Sequence, residues 1–403
     1  MSRVSVIIPC YNHAHYLPDA VNSVLAQTFT DWEALIVDDG STDNTCEVAA
    51  QFTDPRIRYI YQENRGLSAA RNTGIRAAKG EFIALLDADD VWEPTFLEVM
   101  ITALQAEPTA SAAYCGFRYM NAAGKLLKQS VLKAVPSEQF HDELLYQGSW
   151  LNPCSVIVRA FAYREIGPFD ETLHACEDSD MWLRLSEKHR FIGVPQVLVR
   201  YRRAGNNMSD DVERMSEAFT LLIEKHFGDI LEPVETWSSQ KRTVVGRLYS
   251  SRVFGHLAQS DVVKSVENLG WMLNHDPDTF LSLDLWYSLA CVHQVIGQRG
   301  DFETWNPVKG ETDVLAVLGE FTRQGLQSRL LNKARSMAYL ALACLNYGKQ
   351  DIQVARKHLY RSWYFWPGMI TYKRWRTLFL RLGPFVPALK RFAMRLRHGG
   401  KEC

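Results

Sequence analysis

Up to residue 90 the chain repeats one unit: a short apolar run, a polar turn, then a segment of helical periodicity. The runs are Val4–Ile8, Ala34–Val37, Ile57–Ile60 and Phe82–Leu86. They are short, rich in β-branched residues and bounded by turn formers, which suits buried strands. Between the first two, Leu17, Ala20, Val21, Val24 and Leu25 fall on one helical face. Residues 42–52 and 67–79 supply the next two helical segments, entered through Gly40-Ser41 and Asn64-Arg65-Gly66. Strands alternating with helices need right-handed crossovers and so build a parallel sheet. Such a sheet gathers the carboxyl ends of its strands on one rim, where open α/β sheets bind ligands.

Each of the four runs leads into polar residues: Pro9-Cys10-Tyr11-Asn12, Asp38-Asp39-Gly40-Ser41, Asn64-Arg65-Gly66 and Asp87-Ala88-Asp89-Asp90. Three carboxylates within four residues at a strand end repel one another unless a cation sits among them. Oxygen ligands alone favour a hard ion, Mg2+ or Mn2+, bound jointly with substrate phosphates. The alternative is that Asp89 or Asp90 caps a helix near residues 94–100. Asp38 and Asp39 either hydrogen-bond a base or ribose or cap the segment after Ser41. Arg71, in the first turns of its helix, is placed to pair with a diphosphate or else is a solvated helix residue. Tyr11 either stacks on a base or is a core tyrosine. Further on, Glu177-Asp178-Ser179-Asp180 precedes an amphipathic helix, offering a general base for an acceptor hydroxyl or a helix cap.

Together these residues resemble family 2 glycosyltransferases, which have the GT-A fold: α/β, Rossmann-like and nucleotide-binding, with a mixed central sheet. The resemblance rests on Val6-Ile7-Ile8-Pro9-Cys10-Tyr11-Asn12, Val37-Asp38-Asp39-Gly40-Ser41-Thr42-Asp43, Gly66-Leu67-Ser68-Ala69-Ala70-Arg71-Asn72-Thr73-Gly74, Asp87-Ala88-Asp89-Asp90 and Glu177-Asp178-Ser179-Asp180. It covers residues 3–205. It implies that Tyr11 and Asp39 contact the base, Asp87 the ribose, and Arg71 the diphosphate of a nucleotide-sugar donor. Pro9, Asn12, Asp38 and Ala88 lie beside them on the donor side. Asp89 is then the ligand of Mg2+ or Mn2+, Asp178 the catalytic base and Glu177 its support, in a single inverting displacement. UDP is the default nucleotide, with dTDP and GDP as alternatives. Two departures stand out. Relatives often carry Tyr-Arg-x-His where this chain has Tyr201-Arg202-Arg203-Ala204, which leaves Arg202 or Arg203 to replace the histidine. The Gln-x-x-Arg-Trp motif of processive synthases is missing, which favours addition of a single sugar.

At 403 residues the chain exceeds one core, and 47% hydrophobic residues suit a globular protein with a sizeable interior. We divide it into a transferase domain at 1–208, an all-α domain at 209–370 and a basic, aromatic tail at 371–403. The stretches 253–276 and 335–368 are loosely repeated, in the manner of tetratricopeptide hairpins. A net charge of -1 argues against a nucleic-acid partner. Eight cysteines without a C-x-x-C pair suit a reducing, cytoplasmic compartment. The N-terminus has no secretory leader, and no apolar run approaches the ~18 residues of a membrane span. The basic tail suits either the anionic inner-membrane surface or a solvated helical terminus. A peripheral site at that surface suits a lipid-linked saccharide acceptor; a free saccharide is the other candidate. Two rival functions remain at this stage: a polyprenyl-phosphate sugar synthase, and a non-catalytic adaptor with an inert transferase half.

Overall fold

A computed structural model describes residues 3–147, 150–205, 207–294, 301–325 and 328–382. Its contacts divide the chain into two compact units, Met1–Leu248 and Tyr249–Cys403.

In the first unit the strands are β1 Val4–Cys10, β2 Trp32–Asp39, β3 Ile57–Gln62, β4 Phe82–Leu85, β5 Val91–Trp92, β6 Ala110–Asn121, β7 Leu126–Val131, β8 Val156–Arg159 and β9 Arg190–Arg203. They form one sheet in the order β3-β2-β1-β4-β8-β6-β9-β5, with β7 added alongside β6. The first four run parallel, as the alternating pattern requires. β8 then enters antiparallel to both β4 and β6, which makes the sheet mixed.

β1 and β2 are buried along their whole length. Val4, Val6 and Ile8 pack into the core on one face of the sheet, and Ile7 into the core on the other. A strand covered on both faces is apolar at nearly every position; in β1 the buried exception is Ser5, whose hydroxyl donates to Glu33. The helix Leu67–Ala77 packs directly on β1. A Cβ on Gly74 would lie 2.3 Å from Ile7 Cγ2, so only glycine lets this helix, which carries Arg71, approach so closely.

The strands end at Arg203, and the compact unit continues to Leu248. The helix Val212–Phe227 belongs to this unit, because it buries Leu222 in the same core as β4 and β8. In the second unit every described element is helical. A core built around Trp286, Trp305, Leu340 and Leu345 joins the helices. The two loosely repeated stretches share a turn geometry. Ser260 and Gln350 both adopt φ of 66°. The next residues, Asp261 and Asp351, cap the following helices through the backbone N–H groups of Lys264 and Val354. Of the expected tail, residues 383–403 lie outside the described residues. No described helix is long and apolar enough to cross a membrane.

Candidate active site

The rim of β1–β4 carries the expected turns, held to one another by side chains. Asn12, with φ of 55°, accepts hydrogen bonds from the N–H of Thr42 (2.7 Å) and of Asp43 (3.2 Å), which ties the first strand end to the second. Asp38 is buried and accepts from Ser41 N–H (2.8 Å) and the Tyr59 hydroxyl (2.5 Å). Asp39 is equally buried and accepts from Gln62 Nε2, Arg65 N–H and Gly66 N–H. Both aspartates therefore shape the rim turns, and neither caps the next helix, whose N-cap is Asn44. Pro9 lies inside β1, level with Val37, and Ala88 is fully buried. Tyr11 is 48% exposed, so it is a rim residue and not a core one.

Arg71 is the centre of the site. Only 1% of its side chain is exposed, and it donates to Glu177 Oε1 at 2.5 Å and to Asp87 Oδ1 at 3.0 Å. It thereby joins the end of β4 to the helix Glu177–Lys188 through Nη1 and Nη2. Two negative partners outweigh the cost of burying the cation, so Arg71 stays charged. Asp178 follows Glu177 and is half-buried. Burial and the adjacent Glu177 carboxylate push its pKa up to about 7, against the opposing pull of Arg71. Cys176, immediately before, holds a left-handed φ of 58°, an unusual conformation for a residue with a Cβ. Asp180, by contrast, faces away from this group. Burial opposes its ionisation, but His226, Lys225 and Arg184 hold it well below the usual carboxylate range. It anchors the helix Val212–Phe227 and takes no part in the rim.

The acidic turn after β4 separates into different roles. Asp90 is fully buried and accepts from the backbone N–H of Arg202 (2.9 Å); it caps no helix, since Thr95 stands at the N-cap of Phe96–Ala106. Asp87, Asp90 and Cys154 offer ligand atoms within 4.8 Å of one another. They do not suit a hard divalent ion. A thiol is a poor ligand for a hard ion, and Asp90 lies fully buried with one oxygen on the Arg202 N–H. Asp89 differs from Asp90 in its exposure. It is partly exposed, and burial followed by the Asp87 charge pushes its pKa up, partly offset by His13 and Arg202. A carboxylate raised by a like neighbour is stabilised by an added cation. An added cation beside Asp89 and Asp87 would relieve that like charge.

Arg202 was open in the sequence, and its contacts are now specific. Its Nε donates to the backbone carbonyl of Asp89 (2.7 Å), Nη1 to Ala122 O (2.9 Å) and Nη2 to Asp19 Oδ2 (2.7 Å). Its guanidinium also lies 4.5 Å from the Tyr16 ring centroid. Arg203 instead binds Ser209 and Asp210. Arg202 thus holds the Asp89 turn from behind. Replacing it with Ala removes three buried donors and is expected to weaken divalent-ion affinity about 10- to 100-fold, as loss of groups that orient ligands does. Titration with Mn2+, read by the spin resonance of the free ion, checks this. Cys154 and Trp92 also escaped sequence reading. Cys154 Sγ accepts from Asp87 N–H (3.1 Å), and Trp92 Nε1 donates to Cys154 O (2.8 Å). Nothing in the local sequence marks either residue as a support for the turn.

Residues 5–168 match the model of Glycosyl transferase family 2. An uncharacterized glycosyltransferase of Rickettsia prowazekii is 32% identical over 206 residues, 49% of this chain and 63% of that protein. Chondroitin synthase of Escherichia coli is 30% identical over 213 residues, 51% of this chain and 30% of the relative. The chain therefore spans less than two thirds of the length of these relatives. Residues 1–349 of Staphylococcus aureus TarS, solved with UDP-GlcNAc, superpose with a TM-score of 0.50 at 18% identity, covering 80% of this chain and 92% of that one. At that identity the likeness shows the fold, GT-A, which is the architecture expected for residues 3–205.

Proposed function

We propose that this chain, whose residues 5–168 match the model of Glycosyl transferase family 2, is an inverting, metal-dependent transferase moving one sugar from a nucleoside-diphosphate sugar to a hydroxyl acceptor. The observation that carries this reading is the Asp87–Arg71–Glu177 bridge, which holds Asp178 beside the acidic turn. A base must be close to the acidity of its medium to take a proton and give it up again, and Asp178 is pushed to about 7.

Mg2+ or Mn2+, when bound at Asp89 with Asp87 alongside, supplies charge neutralisation for the departing nucleoside diphosphate. The chain's own groups do the rest. Tyr11 offers its exposed face to the base, the turns shaped by Asn12, Asp38 and Asp39 frame the donor, and Pro9 and Ala88 are buried behind them. Asp178 accepts the proton of the acceptor hydroxyl as its oxygen attacks the sugar carbon, while Arg71 fixes the orientation of Glu177. A phosphate acceptor needs no deprotonation at neutral pH, so a carboxylate raised to about 7 suits a saccharide hydroxyl, free or lipid-linked, better than a polyprenyl phosphate. UDP is the first nucleotide to test.

Two measurements follow. Incubation with UDP-sugars and Mn2+ is expected to release UDP slowly even without acceptor, and Asp89→Ala should abolish that release. If wild type and Asp89→Ala release UDP equally, the assigned metal site is wrong. The pH profile has a defined sign. Asp178 must be ionised to act, so kcat/KM is expected to rise about tenfold per pH unit below about 7 and to level off above it. The folded state holds the Asp178 proton more tightly than the unfolded chain does. Asp178 therefore makes stability fall as pH rises from the ordinary carboxylate value of 3.8 through about 7.

A further inference from the structure

We propose that two helices of the C-terminal unit form a docking face for an anionic lipid surface, an inference that stands independently of the transferase reading. The helix Ile352–Phe365 buries Ala355, His358, Leu359 and Ser362. Gln353, Lys357, Tyr360 and Tyr364, spaced along a single helical stripe, are exposed. The helix Lys373–Arg381 buries Trp375 and Leu378 and exposes Lys373, Arg376, Thr377 and Leu380. Arg356 Nε donates to Leu382 O at 2.8 Å, which ties the start of the first helix to the end of the second.

Charge identifies the occupant. Residues 352–382 contain Arg356, Lys357, Arg361, Lys373, Arg374, Arg376 and Arg381, and no Asp or Glu. Arg361 and Arg374 pair with Glu311 and Asp284. Lys357, Lys373 and Arg376 pair with no carboxylate among the described residues. The chain as a whole carries a net charge of -1, so this concentration is local. Among the cations stand large exposed side chains: Tyr364 is 68% exposed and Leu380 69%. A nucleic acid or an acidic protein loop would use the cations but leave Leu380 in water. A headgroup layer takes both, with lysine and arginine at the phosphates and tyrosine and leucine at the acyl boundary. Such a face lies on a membrane without crossing it.

The test uses the full chain and flotation with vesicles of phosphatidylcholine, alone or mixed with phosphatidylglycerol. Binding is expected to the mixed vesicles only and to weaken with salt. Lys357→Glu with Lys373→Glu and Arg376→Glu should lower it roughly 100-fold or more. Tyr360→Ser with Tyr364→Ser and Leu380→Ser should lower it about tenfold. All six positions are exposed, and an unchanged thermal melt confirms that each variant folds. No binding to anionic vesicles overturns the proposal. So does full binding by the charge-reversed variant. Binding that ignores the Tyr and Leu substitutions and is equally strong to duplex DNA indicates a general polyanion site and overturns the lipid assignment.

Discussion

Asp178→Asn is expected to reduce sugar transfer by about 10²- to 10⁴-fold, the usual worth of a positioned general base. The amide is nearly the same size as the carboxylate and cannot accept the hydroxyl proton. Asp178 makes no ion pair of its own among the described residues, so the substitution leaves the Arg71 bridge intact. Donor affinity should stay within a few-fold of wild type. The fall should therefore appear in kcat, and the pH limb near 7 should disappear with it. A variant that keeps the wild-type rate would move the role of base to another group, and Glu177 would be the next to test.

Arg71→Ala is expected to act on stability and activity together. Removing the cation leaves Glu177 buried and Asp87 three-quarters buried without a counter-charge. Breaking a buried ion pair in this way costs about 3–5 kcal/mol, equivalent to a fall of roughly 10 °C in Tm for a domain of this size. The turn carrying Asp89 and the helix carrying Asp178 would lose their common anchor, so transfer should be lost even below the new Tm. Arg71→Lys should recover part of the stability and little of the activity, because one ammonium cannot hold two carboxylates in the geometry of a planar fork. Thermal melts beside initial rates separate the two effects.

The parallel half of the sheet was legible because β1, β2 and β4 are buried on both faces, which forces continuous apolar runs. The rim residues were legible for the same reason, since each run stops where the polar turn begins. β6 was not legible: Ala110-Ser111-Ala112-Ala113-Tyr114-Cys115-Gly116 has weak strand propensity. Pairing with β8 and β9 on its two sides makes it a strand. The expected helix at 42–52 shortens to Thr45–Ala49. Asn12 Oδ1 accepts from Thr42 and Asp43 N–H, and the Asp43 carboxylate from Ala14 N–H and Thr45, which holds residues 42–43 as a turn. Arg71 and Glu177 were each noticed, but their pairing joins residues 106 positions apart, and no local periodicity encodes it. Arg202 was noticed as a departure from a motif. That its side chain reaches Asp89 O, Ala122 O and Asp19 could come only from the closed sheet.

The most direct test of a nucleotide-sugar site at the β1–β4 rim is a thermal-shift screen of UDP, GDP, dTDP and their sugars, with Mn2+ or Mg2+ and with chelator. At least one nucleoside diphosphate should raise the melting temperature, by more with metal than without, and the metal-dependent part should vanish in Asp89→Ala. If none of them shifts the wild-type melt under any of these conditions, the rim does not bind a nucleotide sugar.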